Sequence, residues 1–288
     1  AIAWPATKGM MQMDSPKDAQ GEPVTMDLTI KVTGYQWKWR YDYLEDGFGF
    51  LSTLTADSNI ARQKGSGIDV NTVDNYLLDV DNPLVIPVNT NVRFLLTSDD
   101  VIHSWWVPEF GWKRDAIPGY INEAWTNVTK PGTYRGQCAE LCGKDHGFMP
   151  IVVEVLEADA YAQWVTAQQG ELAAAEEQAV ADADKEFGMD ELMAKGEQVY
   201  ASACAACHQP NGQGIPGAFA ALDGSELVNG PVGEHIDIVV KGKAGTAMTP
   251  FGHLSDVDLA AVVTYERNAW SNETGDIVQP SDISQFRN

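Results

Sequence analysis

No apolar run in this 288-residue sequence approaches the about 20 residues that a membrane-spanning helix needs. The opening, Ala1-Ile-Ala-Trp-Pro5, is too short for a signal peptide and lacks a basic start, so the chain reads as a mature or trimmed soluble portion. Basic side chains are scarce as well. Nineteen Lys and Arg stand against 41 Asp and Glu, a formal charge of −22. Binding to phosphate backbones needs clustered Lys and Arg, so nucleic acid is excluded as a partner. The acidity is uneven: the net charge is −8 over residues 1–157, −8 again over the much shorter 158–198, and −6 over 199–288. Such a surface keeps an exported protein soluble and can steer a basic protein donor by long-range attraction. There is no internal repeat. Cysteine is limited to four residues in two tight pairs, Cys138/Cys142 and Cys204/Cys207, and histidine to five. Four cysteines could close two disulfides in an exported protein. Their placement relative to the histidines decides between that and other chemistry.

What is present is globular: 44% hydrophobic and 21% charged residues, in a chain long enough for two domains at about 150 residues each. Residues 26–157 carry β-pattern. Met26–Thr33 alternates with period two, and Leu77–Asp81, Leu84–Ile86, Val92–Leu96 and Ile151–Val155 are short β-rich runs separated by Asp81-Asn82-Pro83, Pro87 and Pro131-Gly132. Short strands at this spacing imply a sandwich or barrel. From Glu157 to Phe187 the chain turns rich in Ala, Glu and Gln without proline, the composition of a partly helical linker extended by self-repulsion. Beyond Gly188 the pattern is helical with glycine-rich loops. Met189–Tyr200 leads into Cys204, and Ser255-Asp-Val-Asp258 is an S-x-x-D cap opening a helix over Val257–Asn268, with Leu259, Val262 and Val263 on its apolar face. The expected division is therefore an N-terminal segment 1–25, a β-domain 26–157, a linker 158–187 and an α-domain 188–288.

Cys204-Ala-Ala-Cys207-His208 is C-x-x-C-H, the attachment pattern of heme c. Two thiols about one turn apart can each add to a heme vinyl group, and the adjacent histidine serves as the proximal iron ligand. A redox C-x-x-C would need no histidine and expects a βαβ setting, whereas a helical pattern precedes this motif. The sixth ligand should come from a later loop. Met248, in Gly245–Pro250, is favoured, because a thioether raises the potential; His253 and His235 are the competitors, the latter read as a surface or core residue.

Cys138-Ala-Glu-Leu-Cys142-Gly-Lys-Asp-His146-Gly-Phe-Met149 packs two thiols, an imidazole and a thioether into one loop, and His103 lies in the separate stretch Asp100–Trp105. Two cysteines and two histidines could hold tetrahedral zinc, or the cysteines could form a disulfide. Neither arrangement uses Met149. Soft thiolate and thioether donors combined with imidazole select copper. A mononuclear blue site needs one cysteine, whereas two thiolates from one loop can bridge two coppers, each taking one imidazole and a weak axial donor. Sharing one electron over such a pair keeps reorganisation small.

On Gly34-Tyr-Gln-Trp-Lys-Trp-Arg-Tyr-Asp-Tyr43, Asp100-Val-Ile-His-Ser-Trp105, Asp115-Ala-Ile-Pro-Gly119 and Gly136-Gln-Cys-Ala-Glu-Leu-Cys-Gly143, residues 26–157 resemble the copper domain of cytochrome c oxidase subunit II. Residues 189–270 resemble a class I cytochrome c, with Ala260–Asn268 as its C-terminal helix and Met248 as its axial methionine. The resemblance implies a multidomain fold, a cupredoxin-like all-β sandwich followed by a small all-α domain. It implies a dinuclear copper A centre bridged by Cys138 and Cys142, with terminal His103 and His146 and weak donors from Met149 and the Glu140 carbonyl. In the family the Glu140 side chain also faces a magnesium ion shared with subunit I. Trp37 would be where electrons reach the copper, although alternating aromatics are equally what a packed strand looks like. The family begins with two membrane helices. Residues 1–13 are then the outer end of the second, or a trimmed start, and the native protein is anchored by upstream helices at the periplasmic, outer face of a bacterial cytoplasmic membrane.

The function so implied is electron transfer from a covalent heme c to copper A and on to heme a of subunit I, alongside other oxidase subunits. The external donor would be a small cytochrome c or a quinol-oxidising complex. An exported copper-handling protein with a fused cytochrome is the alternative. A nitrous oxide reductase would need a second, histidine-rich copper domain, for which five histidines are too few, and a zinc-stabilised interaction module is the weakest reading.

Overall fold

The computed structural model describes every residue except 1, 2, 18, 19, 183, 184, 218, 244, 245, 247, 249, 253 and 288. It separates into two compact units, Ala1–Leu172 and Ala173–Asn288.

The first unit is a two-sheet sandwich. Strands β1 (Leu28–Tyr35), β2 (Lys38–Tyr43), β3 (Phe48–Ser52), β5 (Val92–Ser98) and β8 (Asn122–Thr126) form one sheet in the order β3-β2-β1-β5-β8. Strands β4 (Leu84–Pro87), β6 (His103–Val107), β7 (Trp112–Ala116), β9 (Gly132–Cys138) and β10 (Pro150–Leu156) form the other in the order β4-β10-β9-β6-β7. The pairs β1/β5 and β4/β10 are parallel and the remaining pairs antiparallel. Alternation sets the inner faces. Leu28, Ile30 and Val32 of β1 and Trp39, Tyr41 and Tyr43 of β2 are buried, as period-two patterning requires. The aromatics form the centre of the core, where Trp105 stacks on Phe94 and on Trp112, which also touch each other, and donates its indole N–H to the Tyr41 hydroxyl at 3.3 Å. Tyr43 hydroxyl donates to the Val85 carbonyl at 2.7 Å and accepts the Val85 N–H at 2.9 Å, so a buried polar tip is satisfied twice and ties the sheets together.

One expected strand is absent. Leu77–Leu78–Asp79 is a turn with Leu77 at φ +62, and only Val80 pairs, through an isolated bridge to Leu54. The stretch 53–83 is an excursion between sheets that carries helix α2 (Ala56–Ala61); Leu54 and Val80 are buried, whereas Ile60, Ile68, Val70 and Leu78 are exposed. At the N-terminus, α1 (Ala3–Asp14) is exposed and tied by the Trp125 indole N–H to the Met13 carbonyl at 3.0 Å. Among the described residues no helix is long and apolar enough to cross a membrane.

Helix α3 (Ala158–Asp182) is continuous, and the division between the units falls within it. Its first turns are docked: Trp164 contacts Tyr43, Phe48 and Phe50, Tyr161 donates to Asp46 at 3.2 Å, and Gln169 donates to the Asp46 carbonyl at 2.9 Å.

The second unit is helical: α4 (Met189–Val199), a π-turn over Tyr200–Cys204, α5 (Ala205–His208), α6 (Glu226–Asn229), α7 (Val232–Lys241), α8 (Asp256–Asn268) and α9 (Pro280–Ser284). Ser255 caps α8 by accepting the Asp258 N–H at 3.1 Å. Leu192, Val228, Ile236, Leu259, Val263 and Ile283 make its core. Helices α4 and α8 cross at Gly196, where a methyl group would lie 2.1 Å from the Ala261 carbonyl oxygen. No larger residue fits there without separating the helices.

Candidate metal and heme sites

Strand β9 ends at Cys138 and β10 begins at Pro150, so the sandwich presents the intervening loop as one short hairpin end. Cys138, Cys142 and Met149 are buried, His146 is half-buried, and Glu140 is exposed. His103 opens β6, whose pairing with β9 sets Trp105 opposite Cys138 and brings the fully buried imidazole to the loop. The donor atoms converge. Cys138 Sγ lies 3.8 Å from Cys142 Sγ, 3.9 Å from His103 Nδ1 and 3.4 Å from the Glu140 carbonyl oxygen. Cys142 Sγ lies 3.5 Å from His146 Nδ1 and 3.6 Å from Met149 Sδ. The ligating atoms of His103, Cys138 and Cys142 all fall within 4.8 Å of one another.

Electrostatics follow from this crowding. The Cys142 thiol donates toward Cys138, pulling Cys138 down to about 3 against its burial, with His103 assisting; the same pairing pushes Cys142 well above the ordinary thiol range. Burial works against a charged His103, but its hydrogen bonds to Asp100 and Cys138 prevail and raise its pKa. Asp100 is desolvated too, yet His103 and the N–H groups of Val101 and Gln36 hold its carboxyl below the usual carboxylate range. The His103 Nε2 to Asp100 Oδ1 distance is 2.9 Å, which fixes the ring with Nδ1 facing the sulfurs.

This donor set suits copper. A sulfur–sulfur separation of 3.8 Å is nearly twice the ~2.05 Å of a disulfide, so the thiols stand as two separate donors. A closed zinc site would leave the buried thioether of Met149 without a role. Two thiolates, two imidazoles and a thioether are the soft donors that copper prefers.

The aromatic stretch reaches the same loop. The half-buried Trp37 donates its indole N–H to the Cys142 carbonyl at 3.3 Å, and Gln36 Nε2 donates to that carbonyl at 2.8 Å. Gly143, at φ +121, lets both approach, since a methyl group there would meet Gln36 Nε2 at 2.9 Å and Trp37 Cζ2 at 3.0 Å.

In the second unit the π-turn delivers buried Cys204, and α5 carries Cys207 and His208 one turn on. His208 Nδ1 donates to the Ala220 carbonyl at 2.8 Å, which selects the tautomer that leaves Nε2 as a ligand atom, the arrangement an iron-binding histidine needs. Met248 is half-buried against the helical core, and its carbonyl accepts the Lys243 N–H at 2.9 Å. His253 lies outside the described residues. His235 proves to be a core residue of α7, 2% exposed, with Nε2 2.8 Å from the Glu266 carboxylate. Sequence reasoning missed Asp100, Gln36 and Ala220 as supports. Asp100 lies three residues before a candidate ligand, the one signal available for it.

Residues 28–156 match the family described as cytochrome C oxidase subunit II, periplasmic domain, and residues 191–265 match that described as cytochrome C oxidase, cbb3-type, subunit III. A probable cytochrome c oxidase subunit 2 of Rickettsia prowazekii is 53% identical over 141 residues, covering 49% of this chain and 42% of that protein. The cytochrome c oxidase subunit 2 of Cereibacter sphaeroides is 39% identical over 159 residues, 52% of each. The crystal structure of the periplasmic domain of subunit II of cytochrome oxidase from Bradyrhizobium japonicum is 43% identical, covering 51% of this chain and 97% of that one with a TM-score of 0.45. The chain spans about half the length of the curated relatives it matches.

Proposed function

From a chain that joins a periplasmic domain of the cytochrome c oxidase subunit II family to a cytochrome c domain, we propose an electron-transfer subunit of a heme–copper oxidase, passing electrons from its own heme c to copper A and on to heme a of subunit I. The observation that carries this is the convergence of three sulfurs and two imidazoles on one loop, in a chain that also holds C-x-x-C-H. When bound, the heme supplies a one-electron donor and the copper pair a one-electron acceptor of low reorganisation. Cys138 and Cys142 would hold the copper pair through their sulfurs, with His103 and His146 as the imidazole ligands and Met149 and the Glu140 carbonyl as weak donors. Cys204 and Cys207 would anchor the heme through thioether bonds, and His208 and Met248 would hold its iron.

The surrounding residues set the site's behaviour. Asp100 orients His103, and Trp37 rests on the Cys142 carbonyl, a direct contact between a half-buried aromatic and the copper loop that suits it to receive electrons. Glu140 points its exposed side chain outward, where subunit I can share a magnesium ion with it. Oxygen reduction and proton pumping belong to that partner. The acidic surface suits a basic external donor, and the site of action is the outer face of the membrane, in a protein anchored there.

Electron paramagnetic resonance of the matured, copper-loaded protein tests the reading. A seven-line hyperfine pattern is expected from one electron shared by two coppers. Four lines from readily exchanged copper would instead indicate a copper-handling protein, and a single zinc would end the respiratory assignment.

A further inference from the structure

The two terminal imidazoles are supported in different ways. His103 is fully buried, sits on a strand and is held through its own ring by Asp100. His146 is half-buried on a single 3₁₀ turn, His146–Phe148, and among the described residues its Nε2 is hydrogen-bonded to no carboxylate or carbonyl. An imidazole ligand ordinarily has such a partner to fix its orientation.

Here the residues on either side of His146 are gripped instead. Arg62, just past the end of α2, sends Nη1 to Asp145 Oδ1 at 3.2 Å and Nη2 to Asp145 Oδ2 at 3.4 Å. Its guanidinium carbon also lies 4.3 Å from the centre of the Phe148 ring. The fork is pre-aimed, because Nε donates to Asn59 Oδ1 at 2.7 Å. Both side chains are largely shielded, at 12% and 9% exposure, so solvent screens the pair weakly. A planar fork that binds a carboxylate through two N–H groups and stacks on an aromatic face is a capacity lysine lacks. The platform is fixed in turn by Ser58, which accepts the Leu77 N–H at 3.2 Å.

We propose that Arg62 is a positioning residue for the copper centre, a clamp on Asp145 and Phe148 that aims His146 from outside its ring. This rests on the copper reading of the loop. It also accounts for the 53–83 excursion, which presents one guanidinium to the metal loop.

The test measures copper release to an excess of chelator, together with the hyperfine spectrum, in full-length wild type and in Arg62→Gln, Arg62→Lys and Asp145→Asn. Wild type is expected to show seven lines and slow release. Arg62→Gln should release copper about 10- to 100-fold faster, with altered hyperfine spacing, in a protein whose circular dichroism is unchanged. Arg62→Lys restores the charge without the fork and should remain about tenfold faster than wild type. Should Arg62→Gln fail to fold, Asp145→Asn, equal in shape, is read in its place with the same expectation. Wild-type release and spectrum in a folded Arg62→Gln would overturn the clamp and leave the copper assignment standing. Full recovery in Arg62→Lys would overturn it as well, because charge alone would then suffice. Four lines in wild type would strike the copper reading itself.

Discussion

Replacing Asp100 by Asn keeps the shape and removes the charge from the residue that orients His103. In the wild type Oδ1 accepts from Val101 N–H at 2.6 Å and Ser98 hydroxyl at 3.2 Å and meets His103 Nε2 at 2.9 Å, while Oδ2 accepts from Gln36 N–H at 2.7 Å. An amide offers one oxygen. Facing it to the three-partner side turns an NH₂ group against the Gln36 N–H. That leaves a shielded donor unsatisfied at about 1–3 kcal/mol, and the His103 bond loses its charge assistance, worth about 1 kcal/mol more. The copper-free protein should therefore lose about 2–4 kcal/mol near neutral pH, and copper affinity should fall roughly 10- to 100-fold because His103 is less firmly aimed and less basic. The pH profile gives a second readout. The Asp100 pKa is lowered, so its contribution is complete above about pH 4 and fades as pH falls through the folded value. The His103 pKa is raised, so its contribution is complete below about pH 6.5 and fades as pH rises through the folded value. Both slopes should flatten in Asp100→Asn. Denaturant titrations of the copper-free protein from pH 3 to 8, with chelator competition for the loaded form, measure all three quantities. An Asn variant that matched wild type in stability, slope and affinity would refute the reasoning.

Trp164→Ala should destabilise the first unit by about 2–3 kcal/mol, since it removes an indole packed against Tyr43, Phe48 and Phe50; chemical denaturation followed by near-ultraviolet dichroism checks this. Gly196→Ala sets helix propensity against packing. Propensity favours Ala by about 1 kcal/mol, but a methyl group 2.1 Å from the Ala261 carbonyl forces α4 and α8 apart, so a net loss of about 1–3 kcal/mol is expected in thermal unfolding of the second unit. Glu266→Leu leaves His235, whose Nδ1 already lacks a partner among the described residues, buried without any hydrogen bond, and should cost about 3 kcal/mol; Glu266→Gln keeps an acceptor and should cost about 1 kcal/mol by the same unfolding measurement.

The candidate donors were legible in the sequence because most of them are local. Cys138, Cys142, His146 and Met149 announce themselves by spacing within one loop, and C-x-x-C-H likewise. His103 stands apart in Asp100–Trp105, where only the family resemblance marks it as a ligand, and its approach to the loop depends on β6 pairing with β9. The supports were not readable. Arg62 and Asp145 are 83 positions apart and meet only because an excursion between sheets folds back, and nothing in their spacing encodes that. Composition at 158–187 suggests helix, and α3 spans Ala158–Asp182, but composition is silent about docking, because one Trp and one Tyr in an Ala-rich run carry no periodic signal; their partners lie on β2, on β3 and in the turn between them. Leu77–Asp81 shows the converse failure. Apolar residues in a row suit a strand, yet Leu77 and Leu78 lie in a turn and Val80 alone pairs, through its bridge to Leu54.

Of the six donor residues proposed for copper, five ride on the twelve positions from Cys138 to Met149, between two antiparallel strands that meet as a hairpin. The centre is thus nearly a cassette. Another sandwich with a hairpin at the matching edge, one histidine across from it and a guanidinium to brace the far end would have what is needed to accept it as a transplant, and the heme unit, sharing none of those positions, could be exchanged or dropped independently.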